Sequence, residues 1–204
     1  MGSLTRRGSI ALAAAGTLCL LWGGVGAADE PRSNETSFVG SRIESGLKVG
    51  EKVPQFYVRA VSGAHQNKSV CYVCRNGDRP VVMLIARDMT PELTLLLQKV
   101  DALVDQNRAS GLRSFGVFLP QEGKELFPKV QTLAFNASLS IPLTIATTAT
   151  EGPSGQEIHP DASLTVILYR DQTVMANFAY RAGQLDARSI DAILKSTREL
   201  ADIE

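Results

Sequence analysis

Cys71 and Cys74, in the run Val70-Cys-Tyr-Val-Cys-Arg-Asn-Gly-Asp-Arg-Pro80, are the residues whose types and spacing point most directly to chemistry. Sulfurs at C-x-x-C spacing can close into a disulfide and reopen, and the thiolate released is a nucleophile toward other sulfurs. Arg75 and Arg79 stand near enough in sequence to stabilise such a thiolate. Three readings are open. In the first, the pair is a structural disulfide, or two buried thiols, securing a turn; a ring this small removes little chain entropy, which weakens a purely structural case. In the second, it is a redox couple exchanging with a thiol or disulfide protein partner, the more exposed cysteine attacking. In the third, Cys71, Cys74 and His65 ligate zinc or copper, His65 approaching across a hairpin. His159 is the only other histidine and nothing local brings it near, whereas a closed zinc site takes four ligands. The first two readings need no cofactor. Covalent haem attachment is disfavoured because Arg75, not histidine, follows Cys74.

Little else competes with the pair. No Ser/His/Asp set, phosphate-binding glycine loop or carboxylate pair has a recognisable spacing. Arg87 and Asp88 are a second candidate, as an anion or partner site or as an ordinary surface ion pair. Tyr72 and Tyr169 read as packing residues with a polar tip. Among the 204 residues, 21 Lys and Arg balance 21 Asp and Glu, and no basic stripe stands out, which argues against nucleic acid.

The first residues read as an export signal. Arg6 and Arg7 supply a positive start, Ile10 to Trp22 an apolar stretch, and Val25-Gly-Ala27 a small-residue cleavage site. Thr5-Arg-Arg-Gly-Ser9 hints at a twin-arginine signal. The division expected is 1–27 signal peptide, 28–46 flexible leader and 47–204 domain, with a short N-terminal anchor as the alternative to cleavage. Cys19 would leave with the signal, because Leu18 stands where a lipoprotein site needs a small residue. The mature chain would be exported, periplasmic or secreted, without a membrane span, and would meet an oxidising compartment where a cysteine pair persists as a disulfide. N-x-[ST] triplets at Asn34, Asn67 and Asn136 would matter only in a eukaryotic secretory pathway.

The elements that must position the cysteines follow from periodicity. Pro80-Val-Val-Met-Leu-Ile-Ala86 is an unbroken apolar run with β-branched residues, the mark of a strand buried on both faces. Before it, Phe56 to Val61 and Lys68 to Val73 read as a hairpin, and Asn76-Gly77 as a tight turn into the central strand. After it, Thr90-Pro91-Glu92 starts a helix whose Leu93, Leu96, Leu97, Val100, Leu103 and Val104 share one face, ending at Gly111. Ser114 to Leu119 is a strand, and 122–136 a helix if Pro128 lies in its first turn. Ile141 to Ala146 is a strand, and Leu164 to Arg170 with Thr173 to Tyr180 a hairpin. A last helix starts near Asp186, with Ile190, Ile193, Leu194 and Thr197 inward.

The order β-hairpin, β-α-β-α-β, β-hairpin, α resembles the thioredoxin superfamily, in its redoxin or peroxiredoxin-like branch. Gly50-Glu-Lys-Val-Pro-Gln-Phe56 is similar to that branch's opening G-x-x-x-P-x-F. The resemblance implies an α/β fold, a thioredoxin-like three-layer sandwich. Its central mixed five-stranded sheet would run 141–146, 113–119, 81–86, 164–170, 173–180, with helices on both faces and an N-terminal β-hairpin. It also exposes departures. The family's reactive cysteine follows the central strand, where this chain has Arg87-Asp-Met-Thr-Pro-Glu-Leu93. Thr90 stands about where a peroxiredoxin's hydroxyl residue would, but Leu93 holds the place of the nucleophile. Where thioredoxins carry a cis-proline, this chain has Ala162-Ser163 before Leu164, with Pro160 too far upstream. Standard peroxidase or thioredoxin activity is therefore not expected. The function expected is that of an exported thioredoxin-fold protein with a thiol–disulfide role at a relocated Cys71/Cys74 pair. The alternative is a non-catalytic metal- or protein-binding module.

Overall fold

The chain is described from a computed structural model over residues 43–121, 125–147, 153 and 155–202, all within the unit Val39–Glu204. The residues read as a signal peptide, and most of the leader, lie outside the described residues. Seven strands form one sheet: β1 (Val58–Ala60), β2 (Ser69–Val70), β3 (Val81–Ala86), β4 (Arg113–Phe118), β5 (Leu143–Ala146), β6 (Leu164–Arg170) and β7 (Thr173–Tyr180). Their spatial order is β2-β1-β5-β4-β3-β6-β7. The five strands expected at the centre stand in the expected order. The N-terminal hairpin extends that sheet, because β1 pairs antiparallel with β5 in the register Val58↔Ala146. β3 and β4 are parallel, and β6 runs antiparallel to β3 with Val81 opposite Tyr169.

β3 is buried along its whole length because both of its faces are covered. Val82, Leu84 and Ala86 point into a core shared with α2 (Pro91–Gln106), α3 (Leu126–Asn136) and α4 (Ala187–Leu200). Val81, Met83 and Ile85 point the other way, into a core that holds Leu47, Val53, Phe56 and the short helix α1 (Tyr72–Asn76). Both faces carry helix, as expected, but unequally. The three long helices share one core, and the other is closed by extended chain and a single helical turn.

Local signals explain most element ends. The Thr90 Oγ1 accepts from the Leu93 N–H at 3.2 Å, and Pro91 opens α2. Thr90→Ala is expected to lower stability by about 1 kcal/mol, read as an earlier urea midpoint at unchanged slope. α2 stops at Gln106 and is followed by a 3-10 turn, Arg108–Ser110, with Gly111 in the left-handed region. Pro128 sits in the first turn of α3, where a missing N–H costs nothing. Asp171 and Gln172 both have positive φ, 52° and 57°, which suits the tight turn joining β6 to β7. Asp186 caps α4, its carboxylate accepting from the Ser189 N–H at 2.7 Å.

Residues just upstream of Leu47 pack against the sheet. Ile43 and Ser45 are buried, and the Ser45 and Thr165 hydroxyls are 2.7 Å apart. The Gly46 N–H donates to the Glu157 carbonyl, and a β-carbon on Gly46 would meet Thr165 Cγ2 at 2.8 Å. The packed body therefore reaches at least to Ile43.

Candidate functional site

The cysteines lie on α1, not on a tight turn after a long strand. Lys68 to Val73 reads as one strand, yet the pairing stops at Val70 and Cys71 becomes the N-cap of a helix. Gly77 explains the difference. With φ 58° it ends α1, its N–H bonding to the Val73 carbonyl, so Asn76-Gly77 marks a helix stop instead of a hairpin. The pair sits on the sheet face away from the long helices, with Cys71, Tyr72 and Val73 all in the second core.

Cys71 and Cys74 are joined as a disulfide, with α-carbons 5.4 Å apart. Their environments differ. Cys71 is 5% exposed, whereas Cys74 faces solvent. The Cys74 backbone N–H donates to the Cys71 sulfur at 3.1 Å. Val73 is fully buried and fixes the turn, and the Tyr72 ring stacks on Phe115 with centroids 5.2 Å apart. Of the two residues only Cys74 is exposed, so a thiolate attacking the pair would meet that residue first. Its attack would expel Cys71 as a thiolate toward an N–H already aimed at that sulfur.

Tyr72 is a packing residue, as its sequence context implies. Its hydroxyl is buried with no hydrogen-bond partner among the described residues, and burial raises its pKa against the pull of Arg75. Tyr72→Phe removes that stranded polar atom without changing the ring. The variant is expected to be as stable as the parent or about 1 kcal/mol more so, measured by urea unfolding. Tyr169 is deeply buried beside α1. Burial raises its pKa strongly, and Asn76 opposes the shift through a contact short of full hydrogen-bond geometry.

His65 lies beside Tyr72, ring centroids 6.5 Å apart. Among the described residues no three His, Cys, Asp or Glu side chains gather as a metal-binding group, and both sulfurs are committed to each other.

The corner after β3 is built differently from an open ion pair. The Arg87 N–H donates to the Ser163 carbonyl, and its guanidinium donates to the carbonyls of Ala162 at 3.1 Å and His159 at 3.4 Å. Asp88 accepts from the Ser163 hydroxyl at 3.0 Å, and the Gln121 amide donates to the Arg87 carbonyl at 2.7 Å. Burial lowers the Arg87 pKa while the neighbouring Asp88 raises it. Both side chains thus hold the segment entering β6. Beside them a cleft of about 150 Å³ is lined by Asp88, Thr90, Ser163, Tyr180 and Arg181 among others, and no sulfur lines it. Leu93 is buried, and the Ala162-Ser163 bond is not cis.

Sequence reasoning missed the capping role of Cys71, the Phe115 platform and the pairing of Asn76 with Tyr169. Cysteine is not a favoured cap, so its type gave no signal. The i, i+3 spacing of the cysteines and the glycine closing the turn were the available clues.

The sheet order, the crossovers and the closing hairpin with α4 define a thioredoxin-like fold. No family model matches the chain, and no curated protein matches its sequence. Solved structures share the fold. A Bacteroides thetaiotaomicron protein named as a protein disulfide isomerase superposes with TM-score 0.58 at 13% identity, over 78% of this chain and 95% of its own. A Chlorobium tepidum protein named for thiol:disulfide interchange, DsbE, gives 0.55 at 13% over 76% and 99%. The peroxidoxin BcpB of Mycobacterium tuberculosis gives 0.54 at 15% over 76% and 97%. At these identities the likeness is one of fold. This chain has that fold and no cysteine after its central strand.

Proposed function

We propose that the protein performs thiol–disulfide exchange at the Cys71–Cys74 pair, with Cys74 as the sulfur that partners reach. The observation that carries this reading is the asymmetry of the pair: Cys74 exposed, Cys71 buried and held by the Cys74 N–H at 3.1 Å. A partner thiolate attacks the Cys74 sulfur, forming a mixed disulfide as the Cys71–Cys74 bond breaks, and the electron pair leaves on Cys71. A second partner thiol then displaces Cys74, so the partner leaves oxidised and the protein as a dithiol. In reverse, the Cys74 thiolate attacks a partner disulfide and Cys71 resolves the intermediate. Neighbours named for disulfide interchange support the reading by fold only. Export through residues 1–27 would place the couple in an oxidising compartment, where it would start as the disulfide.

A redox titration of the couple by alkylation and intact mass, with metal analysis of the reduced sample, tests this. A potential above about −230 mV marks a labile, exchanging couple. A potential below about −300 mV overturns the proposal in favour of a structural staple, a reading that the burial of Cys71 and Val73 supports. Stoichiometric zinc or copper on the reduced pair would replace exchange with metal binding.

A further inference from the structure

Arginines accumulate on one side of the cysteine pair. Arg75 follows Cys74 directly, and Arg79 stands on the connection from α1 to β3. One Arg79 guanidinium nitrogen lies 3.5 Å from the Arg75 carbonyl. The Arg79 side chain rests against Gly111, its Cγ 3.9 Å from where a β-carbon on that glycine would stand. Gly111 ends the 3-10 turn that carries Arg108, and Arg113 opens β4 just beyond it. The Arg113 guanidinium is 3.5 Å from the Arg108 carbonyl, and the Arg113 backbone N–H donates to the Pro80 carbonyl at 3.0 Å. Burial, then Arg79 and Arg108, hold the Arg113 pKa below its usual value, so these three charges feel one another. Arg75, Arg79 and Arg108 are exposed and Arg113 half-buried.

The strip is unbalanced. The whole chain carries 21 basic and 21 acidic side chains, so the accumulation is local. Among the described residues only Arg108 of the four has a carboxylate within ion-pair distance, Asp105 at 2.8 Å. Asp78 shares the connection between Arg75 and Arg79 and pairs with neither. Four guanidinium groups come from two separate connections, and Arg75 directly follows the exposed Cys74. The carboxylates among them are Asp78, Asp105 and Asp101, the last lining a cleft with Arg108 and Arg113, so the strip keeps an excess of positive charge.

We propose that the strip Arg75–Arg79–Arg113–Arg108 is the docking surface for the exchange partner of Cys74, and that this partner is a polypeptide with acidic residues flanking its reactive cysteine. The inference rests on the exchange reading above and adds the chemistry of what docks. Acidic flanks would raise the local concentration of the partner thiol at Cys74 and orient it, an effect that acts on the association rate and weakens with salt.

Three synthetic peptides of equal length, each with one central cysteine in acidic, neutral or basic flanks, test it. The reaction followed is attack on the Cys71–Cys74 disulfide of the full chain, read by mass as mixed disulfide and then dithiol. Rates are divided by each peptide's thiolate concentration, because acidic flanks themselves raise a thiol's pKa. The expected result is an acidic peptide about tenfold or more faster than the neutral one, and a basic one slower still. The preference should shrink at about 0.5 M salt, where charges are screened beyond a few ångströms. It should vanish in Arg79→Glu/Arg108→Glu and persist in the control Arg198→Glu on α4. Equal rates for the three peptides, or a preference that survives Arg79→Glu/Arg108→Glu, overturns this docking surface while exchange itself stands. If no peptide reacts and dithiothreitol also leaves the pair oxidised, the exchange reading fails and the docking proposal with it.

Discussion

Cys74→Ser is expected to abolish exchange outright, with no mixed disulfide trapped on the protein. Cys71→Ser is expected to trap a stable mixed disulfide at Cys74. The difference follows from access. Cys74 is exposed, whereas Cys71 is 5% exposed and belongs to the second core with Val73 and Phe115. In the reduced wild type, iodoacetamide should modify Cys74 on the order of tenfold faster than Cys71, because accessible thiols react and core thiols do not. Peptide mapping after timed alkylation reads both rates. Equal rates, or faster modification of Cys71, would remove the asymmetry on which the proposed order of attack depends. The stability cost of losing so small a ring is expected to be slight.

Phe115→Ala is expected to cost about 3–5 kcal/mol, among the largest losses available to one substitution in this chain. Phe115 is fully buried on β4, with Phe56 at 6.5 Å and Tyr72 stacked at 5.2 Å between ring centroids. Aromatic contacts of this kind add about 0.5–1.5 kcal/mol beyond the area they bury. Against a total of about 5–15 kcal/mol for an ordinary domain, the variant should be marginal. Phe115→Leu keeps most of the volume and is expected to lose under about 1.5 kcal/mol. Urea midpoints of the two variants give the comparison. Because Tyr72 follows Cys71 directly, Phe115→Ala should also loosen α1, and dithiothreitol should reduce the disulfide faster at urea concentrations where the variant remains folded.

The fold was legible where one physical signal dominated. The apolar run of β3, the Thr90-Pro91 start of α2 and the inward face of α4 each follow from burial or capping alone. The central sheet order followed from the element sequence and the handedness of crossovers. Legibility failed where two readings share a signal. Asn-Gly serves both a hairpin turn and a helix end, and only the tertiary placement of Val73 and Tyr72 in the second core selects the helix. That choice shortened β2 and moved the cysteine pair from a turn onto a face of the sheet. Arg87 and Asp88 stand out in the sequence as polar residues following the central strand, but their hydrogen bonds to residues 159–163 come from chain far away in sequence. The arginine strip was visible only in part, since Arg75 and Arg79 meet Arg108 and Arg113 through folding.

The two ends of the sheet bear on how copies of this chain avoid sticking together. β2 is only two residues long, too short a template for another strand. At the other end β7 is longer, but residues 50–53 lie along its first residues. Val174 exchanges hydrogen bonds with Gly50 and Glu51, the Val53 N–H donates to Gln172, and the Asn177 amide donates to the carbonyls of Ser45 and Leu47. The stretch upstream of β1 thus acts as a sheath over a strand that would otherwise recruit a neighbour. A proteolytic cut that released residues 43–53 would bare β7 and leave an open edge able to seed edge-to-edge polymerisation.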